Sequence, residues 1–237
     1  MKRTLIILTL LAAGGLGVYY SIPKQSTTEI SVMRDITSQQ LAQPEITSIM
    51  PLYKLDSNEW NGAIFRFSNI TNLSLNQMVE VTIPSENKWL SNEFDRAKAI
   101  KAFTGQITNI LTVAQSDTVG RWNSSIYLPL STELNLLSQS SAQTKVLLAY
   151  TDLMEYEPNL SFYSKKVLAL LVNNPDKVKQ YLEKQQPLNN LKGIEVYLIY
   201  QPENTTDDSQ YRVVSNFYKQ MLESAGAKVT ITPNLID

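Results

Sequence analysis

Two aspartates, each just past a short apolar run, carry the best-defined chemistry in this chain. Glu29-Ile-Ser-Val-Met-Arg34 leads into Asp35-Ile-Thr-Ser-Gln39, and Lys145-Val-Leu-Leu-Ala-Tyr150 leads into Thr151-Asp152-Leu-Met-Glu155. Both runs read as buried strands. Ligands of open α/β sheets bind beyond the carboxyl ends of the strands. Carboxylates and hydroxyls at two such ends therefore outline a shared anionic pocket, of the kind that takes a hard cation. The same aspartates would also serve as caps for the helices that follow, since a carboxylate is favoured at a helix N-terminus.

Composition removes most other chemistries. Histidine and cysteine are absent from all 237 residues. That excludes Ser-His-Asp and Cys-His nucleophilic arrangements, His/Cys zinc sites and disulfides. A net charge of −1 offers no basic field to draw in nucleic acid, so none is expected as a partner. Ser124-Ser125 has no base beyond lysine to activate it. Glu155 and Glu157 are paired carboxylates by spacing, but a solvated loop accounts for them, and no enzymatic role is expected. Trp122 lies in a loop near the expected pocket.

The elements that must hold these residues follow a regular order. Lys2-Arg3 precede an apolar stretch from Leu5 to Tyr20, which Ser21-Ile22 extends. Residues 1–22 are expected to be a signal anchor with its positive end in the cytoplasm, or else a cleaved signal peptide processed near Ala13-Gly-Gly15. Either route puts the folded part outside the cytoplasm, periplasmic or extracellular, anchored in the first case and secreted in the second. Residues 23–28 read as a polar tether, and 29–237 as one domain.

Within that domain, Gly62–Ser68 and Gln77–Ile83 alternate as strands, and the short gap between them favours an antiparallel pair. Phe94, Ala97, Ile100, Phe103, Ile107, Ile110, Leu111 and Ala114 recur at helical steps, and Leu130, Leu134 and Leu137 begin a second helical pattern. Residues 155–163 look irregular and 164–186 helical, with Pro175 suited to a first turn. Gly193–Tyr200 is a strand. Asp208-Ser209 is expected to cap a last helix stopped by Gly226, and Lys228–Thr232 closes the order as a strand. The fold class is α/β, a doubly wound and mostly parallel sheet with one antiparallel edge strand.

This order, together with the two aspartates, resembles a von Willebrand factor type A domain over roughly residues 27–237. That family carries a metal-ion-dependent adhesion site built from Asp-x-Ser-x-Ser after the first strand, a threonine in a later loop and an aspartate after the fourth strand. By position, the resemblance implies Asp35, Thr37, Ser125 and Asp152 as metal-site residues. Gln39 stands where the motif has its second serine, so an amide oxygen replaces a hydroxyl there. The resemblance implies Mg²⁺ as cofactor and a protein or surface ligand that completes the ion's coordination with an acidic group. A structural subunit of an envelope assembly with a relic site is the alternative, and a metal-assisted hydrolase is a further one.

Overall fold

The computed structural model describes residues 25–37, 41–71, 77–116 and 124–235. The apolar amino-terminal segment, Gln39 and Trp122 lie outside the described residues. No described helix is long and apolar enough to cross a membrane.

The first apolar run forms β1 (Thr27–Asp35), and the expected hairpin forms β2 (Gly62–Ile70) and β3 (Met78–Ile83). The second run forms β4 (Thr144–Tyr150). A two-residue ribbon follows, β5 (Tyr156–Glu157) with β6 (Leu160–Ser161), inside the stretch expected to be irregular. The last strands are β7 (Ile194–Ile199) and β8 (Lys228–Thr232). Six of these strands form one sheet in the order β3-β2-β1-β4-β7-β8. All neighbours in it run parallel except β2 and β3. The α/β architecture with one antiparallel edge strand is therefore present.

Helices cover both faces. A short α1 (Ile46–Ile49) with the 3₁₀ turn Met50–Tyr53, and the long α2 (Glu93–Ser116), pack on one face. Ile30, Val32, Phe65, Phe67, Val146 and Leu148 meet Phe103, Ile107 and Leu111 there. The other face carries α3 (Tyr127–Gln139), α4 (Lys165–Asn173), α5 (Pro175–Gln185) and α6 (Thr205–Ser224). Met33, Leu147, Val196 and Leu198 pack against Leu130, Leu134, Val214 and Tyr218 on that side. The helical stretch 164–186 is two helices, because Asn174 leaves helical backbone and Pro175 starts a new first turn without needing an N–H donor.

Two expectations shift. The cap of α6 is Asn204, whose side chain accepts from the N–H groups of Thr206 and Asp207, so the helix begins before Asp208-Ser209. The first turn of α2 turns Arg96 inward and leaves Phe94 77% exposed, although Phe94 belongs to the apolar stripe. Gly226 ends α6 with φ +105, a conformation that strains other residues.

Candidate functional site

Parallel pairing of β1 with β4 sets Arg34 opposite Tyr150, so Asp35 and Thr151 leave the sheet side by side. Asp35 is fully buried. Its Oδ1 accepts from the Thr37 N–H at 2.8 Å and the Thr37 hydroxyl at 2.6 Å, and its Oδ2 accepts from the Thr151 hydroxyl at 2.8 Å. The Thr37 Oγ1 lies 2.9 Å from Ser124 Oγ. Thr37 has one proton and gives it to Asp35, so the Ser124 hydroxyl donates to Thr37. Burial pushes the Asp35 carboxyl above its usual range. The hydrogen bonds from Thr37 and Thr151 oppose that shift, and the charge of Arg34 adds the smallest pull down. Arg34 points elsewhere: it donates to Gln43 and to the Ala114 carbonyl in the last turn of α2.

The second strand end is a turn built from its own side chains. Thr151 Oγ1 accepts from Leu153 N–H at 3.0 Å, and Asp152 Oδ1 accepts from Met154 N–H at 2.9 Å. Between them Leu153 sits at φ 60, a left-handed conformation that costs a leucine about 1 kcal/mol or more. Leu153 is fully buried in the helical layer, and that burial offsets the strain. The turn holds Asp152 at the strand end with only 8% of its surface exposed.

A third segment brings in Ser124. Ser124 and Tyr156 form an isolated antiparallel bridge, with N···O distances of 2.8 and 3.3 Å. Glu155 locks the start of α3 behind it. Its Oε1 accepts from Ile126 N–H at 3.0 Å, from Tyr127 N–H and from the Tyr218 hydroxyl at 3.1 Å. Glu155 is buried, not part of a solvated loop, and it satisfies two free N–H groups at a helix N-terminus. Burial raises its carboxyl to about 8, against the opposing pull of the Tyr127 and Ile126 N–H groups.

Of the four residues expected from the sequence, Asp35 and Thr37 are in direct contact, and Asp152 stands at the adjacent strand end. Ser125 turns its hydroxyl to Glu157 Oε1 at 3.1 Å, and the hydroxyl beside Thr37 belongs to Ser124, one residue earlier. Thr151 joins the cluster without having been singled out. A hydroxyl between an apolar run and a candidate aspartate was the signal for it.

Among the described residues no three carboxylates converge on one point. The oxygen donors that do converge are the Thr37 and Ser124 hydroxyls, the first of them backed by the Asp35 carboxylate. Adjacent ligands of an octahedral Mg²⁺ lie about 3.0 Å apart, from bond lengths near 2.1 Å. The Thr37–Ser124 oxygen pair is hydrogen-bonded at 2.9 Å, an ordinary distance for two hydroxyls that adjacent ligands would also have. Asp35 behind Thr37 has the place of an outer carboxylate that orients a ligand. Two hydroxyl oxygens with a carboxylate behind one of them are oxygen donors of the type hard cations take.

Around this cluster stands an aromatic rim. Tyr156 and Tyr163 pack edge to face with ring centroids 6.0 Å apart, and both are well exposed. Burial raises the Tyr163 hydroxyl pKa, and the charges of Asp152 and Asp35 add to the shift.

No family model matches the chain, and no curated protein sequence matches it. Among solved structures, it is similar to a mutant of the PilB minor pilin from Streptococcus sanguinis, at a TM-score of 0.49 and 11% identity. The match covers 91% of this chain and 59% of that one.

Proposed function

We propose that this chain is a von Willebrand factor type A-like interaction module, exported or held at a membrane, that binds a protein or surface ligand at its strand ends through Mg²⁺. The observation that carries this reading is the Thr37–Ser124 oxygen pair, 2.9 Å apart, with Asp35 hydrogen-bonded behind it. Thr37 and Ser124 are the ligands on this reading, and Asp152 supplies charge from the next strand. Asp35, fixed by Thr37 and Thr151, orients the Thr37 oxygen and keeps its proton directed away from the ion. A bound Mg²⁺ held by these residues would supply electrostatic attraction for a carboxylate oxygen of the ligand. Tyr156 and Tyr163 form the surface that a ligand meets next, and large amphipathic rings are well suited to anchoring an interface.

Calorimetric titration of the purified chain with Mg²⁺ or Mn²⁺ tests the reading. Saturable binding of one ion per chain is expected, with a rise in melting temperature because the ion favours the folded state. Asp35→Asn keeps the shape of the side chain and should abolish both effects. A glutamate-rich peptide should bind only when the ion is present. Absence of divalent binding in the wild-type protein would leave the alternative, a structural subunit that keeps the architecture of the site without its ion.

A further inference from the structure

The end of the sheet opposite Asp35 carries an exposed apolar cluster on a rigid base. Trp89 is 77% exposed, Leu90 85% and Phe94 77%. These are unusually large apolar surfaces to leave in water within six positions of the chain. The base beneath them is ordered by Arg96, which is buried. Its guanidinium donates to the Glu59 carbonyl at 2.6 Å, to the Pro84 carbonyl at 2.8 Å and to the Asn61 carbonyl. Asn87 and Asn92 fix the turn and the helix start by accepting from Trp89 N–H and Phe94 N–H. Trp89 also lines an open cleft of about 1060 Å³ with Trp60, Ile100, Lys88 and Lys101. Gln25, the first described residue, lines the same cleft.

That last contact links the cluster to the apolar amino-terminal segment. Only Pro23 and Lys24 separate Ile22 from Gln25. Three residue steps reach at most about 11 Å, even fully extended. If residues 1–22 span a membrane, the end of the domain that carries Gln25 is pinned within that distance of the bilayer surface. Trp89, Leu90 and Phe94 share that end. We infer that they form a lipid-contact surface, which seats the domain on the bilayer. Indole and phenyl rings settle at the headgroup boundary, and lysine stems such as those of Lys88 and Lys101 extend along the apolar zone while their ammonium groups stay in water. Asp56 and Glu59 line the cleft with the two lysines, so its charges balance. Contact is apolar rather than electrostatic, and it does not depend on anionic lipid. The strand axes then point away from the membrane. The nine residues of β1 carry Asp35 about 26 Å above its first residue, facing outward.

The inference rests on the membrane-tethered form of the proposed function, and the test separates the two. The chain has no cysteine, so Leu90→Cys and, at the far end, Glu203→Cys each give one labelling site. Both positions are exposed, so folding is preserved. The full-length variants, labelled with an environment-sensitive fluorophore, are reconstituted into phosphatidylcholine vesicles with and without doxyl-phosphatidylcholine, and floated on a gradient. The label at position 90 should lose about half its fluorescence or more to the lipid quencher, and the label at 203 almost none. Chain that floats with both labels equally unquenched overturns the lipid contact and leaves the anchor standing. A blue-shifted label at 90 that lipid does not quench means that protein covers the patch, which also overturns it. Chain that does not float overturns anchor and contact together.

Discussion

One face of β1 carries two buried carboxylates, and the molecule treats them in opposite ways. Glu29 lies near the start of the strand and Asp35 at its end, six residues and about 20 Å apart on the same side of the sheet. Glu29 is paired with Arg66 of β2 at 3.1 Å. The same guanidinium reaches Glu133 of α3 at 3.2 Å, and the Ser140 hydroxyl donates to Glu29. All three charged groups are buried, and they answer one another. At Asp35 the donors are two hydroxyls and one N–H, all neutral. Burial raises the carboxyls of both Asp35 and Glu133, but the largest opposing pull at Glu133 is the charge of Arg66, and at Asp35 it is a neutral hydroxyl. The first cluster sets one cation between two carboxylates and ties α3 to the sheet, although burial still raises the Glu133 carboxyl against the pull of Arg66. The second leaves its carboxyl to neutral donors beneath a pair of hydroxyls, and a nearby cation would favour its ionised form.

The sharpest way to break the contrast is to remove the cation from the complete cluster. Arg66→Met leaves Glu29 and Glu133 buried without a counter-charge. The expected cost is about 3–5 kcal/mol, read from the urea midpoint at unchanged slope. Replacing all three groups with neutral ones of similar size should recover most of that loss, since apolar substitutes often match a buried ion pair. A small effect of Arg66→Met would mean that the cluster takes in water.

Much of this frame was legible beforehand. β1 and β4 announced themselves through apolar runs, and the β2–β3 hairpin through alternation with a short gap. The placement of Asp35 and Asp152 at strand ends was legible from the apolar runs that precede them. The choice between Ser124 and Ser125 was not. It is made by a bridge to Tyr156, 32 residues away, and a one-residue slip turns the other hydroxyl to the site. Glu155 looked like a loop residue because nothing local shows that α3 will set its free N–H groups against it. Phe94 fits the helical stripe, yet stripe position does not reveal that Arg96 faces inward in that turn and Phe94 outward.

Glu155 sharpens the comparison by pH. Its carboxyl stands at about 8 in the folded protein against 4.5 as the unperturbed value, with burial as the largest cause. A raised folded value means that the native state holds its proton more tightly than the unfolded chain does. Glu155 therefore contributes full stability below about pH 4.5. That contribution falls away as pH rises towards about 8, by up to about 1.4 kcal/mol per unit. Glu155→Gln keeps the acceptor for Ile126 and Tyr127 and should flatten this slope. Melting temperatures of both proteins between pH 5 and 8 check it, and parallel profiles would assign the slope to another group.

The finest test distinguishes the adjacent serines, whose hydroxyls face different partners. Ser124→Ala removes the oxygen beside Thr37, and Ser125→Ala removes a bond to the half-exposed Glu157. Each should cost stability by no more than about 1 kcal/mol, because a single hydroxyl bond is worth little net. Their effects on Mg²⁺ should differ sharply. Losing a ligand oxygen, or the contact that orients one, is expected to weaken the ion about ten-fold or more in Ser124→Ala. Ser125→Ala should bind as wild type. The residue-by-residue match to the family motif would have chosen Ser125. A Mg²⁺ titration of both variants therefore weighs the folded geometry against motif position. Equal weakening would mean that the loop shifts on binding to offer both hydroxyls, and weakening confined to Ser125→Ala would mean that the bridge to Tyr156 opens when the ion enters.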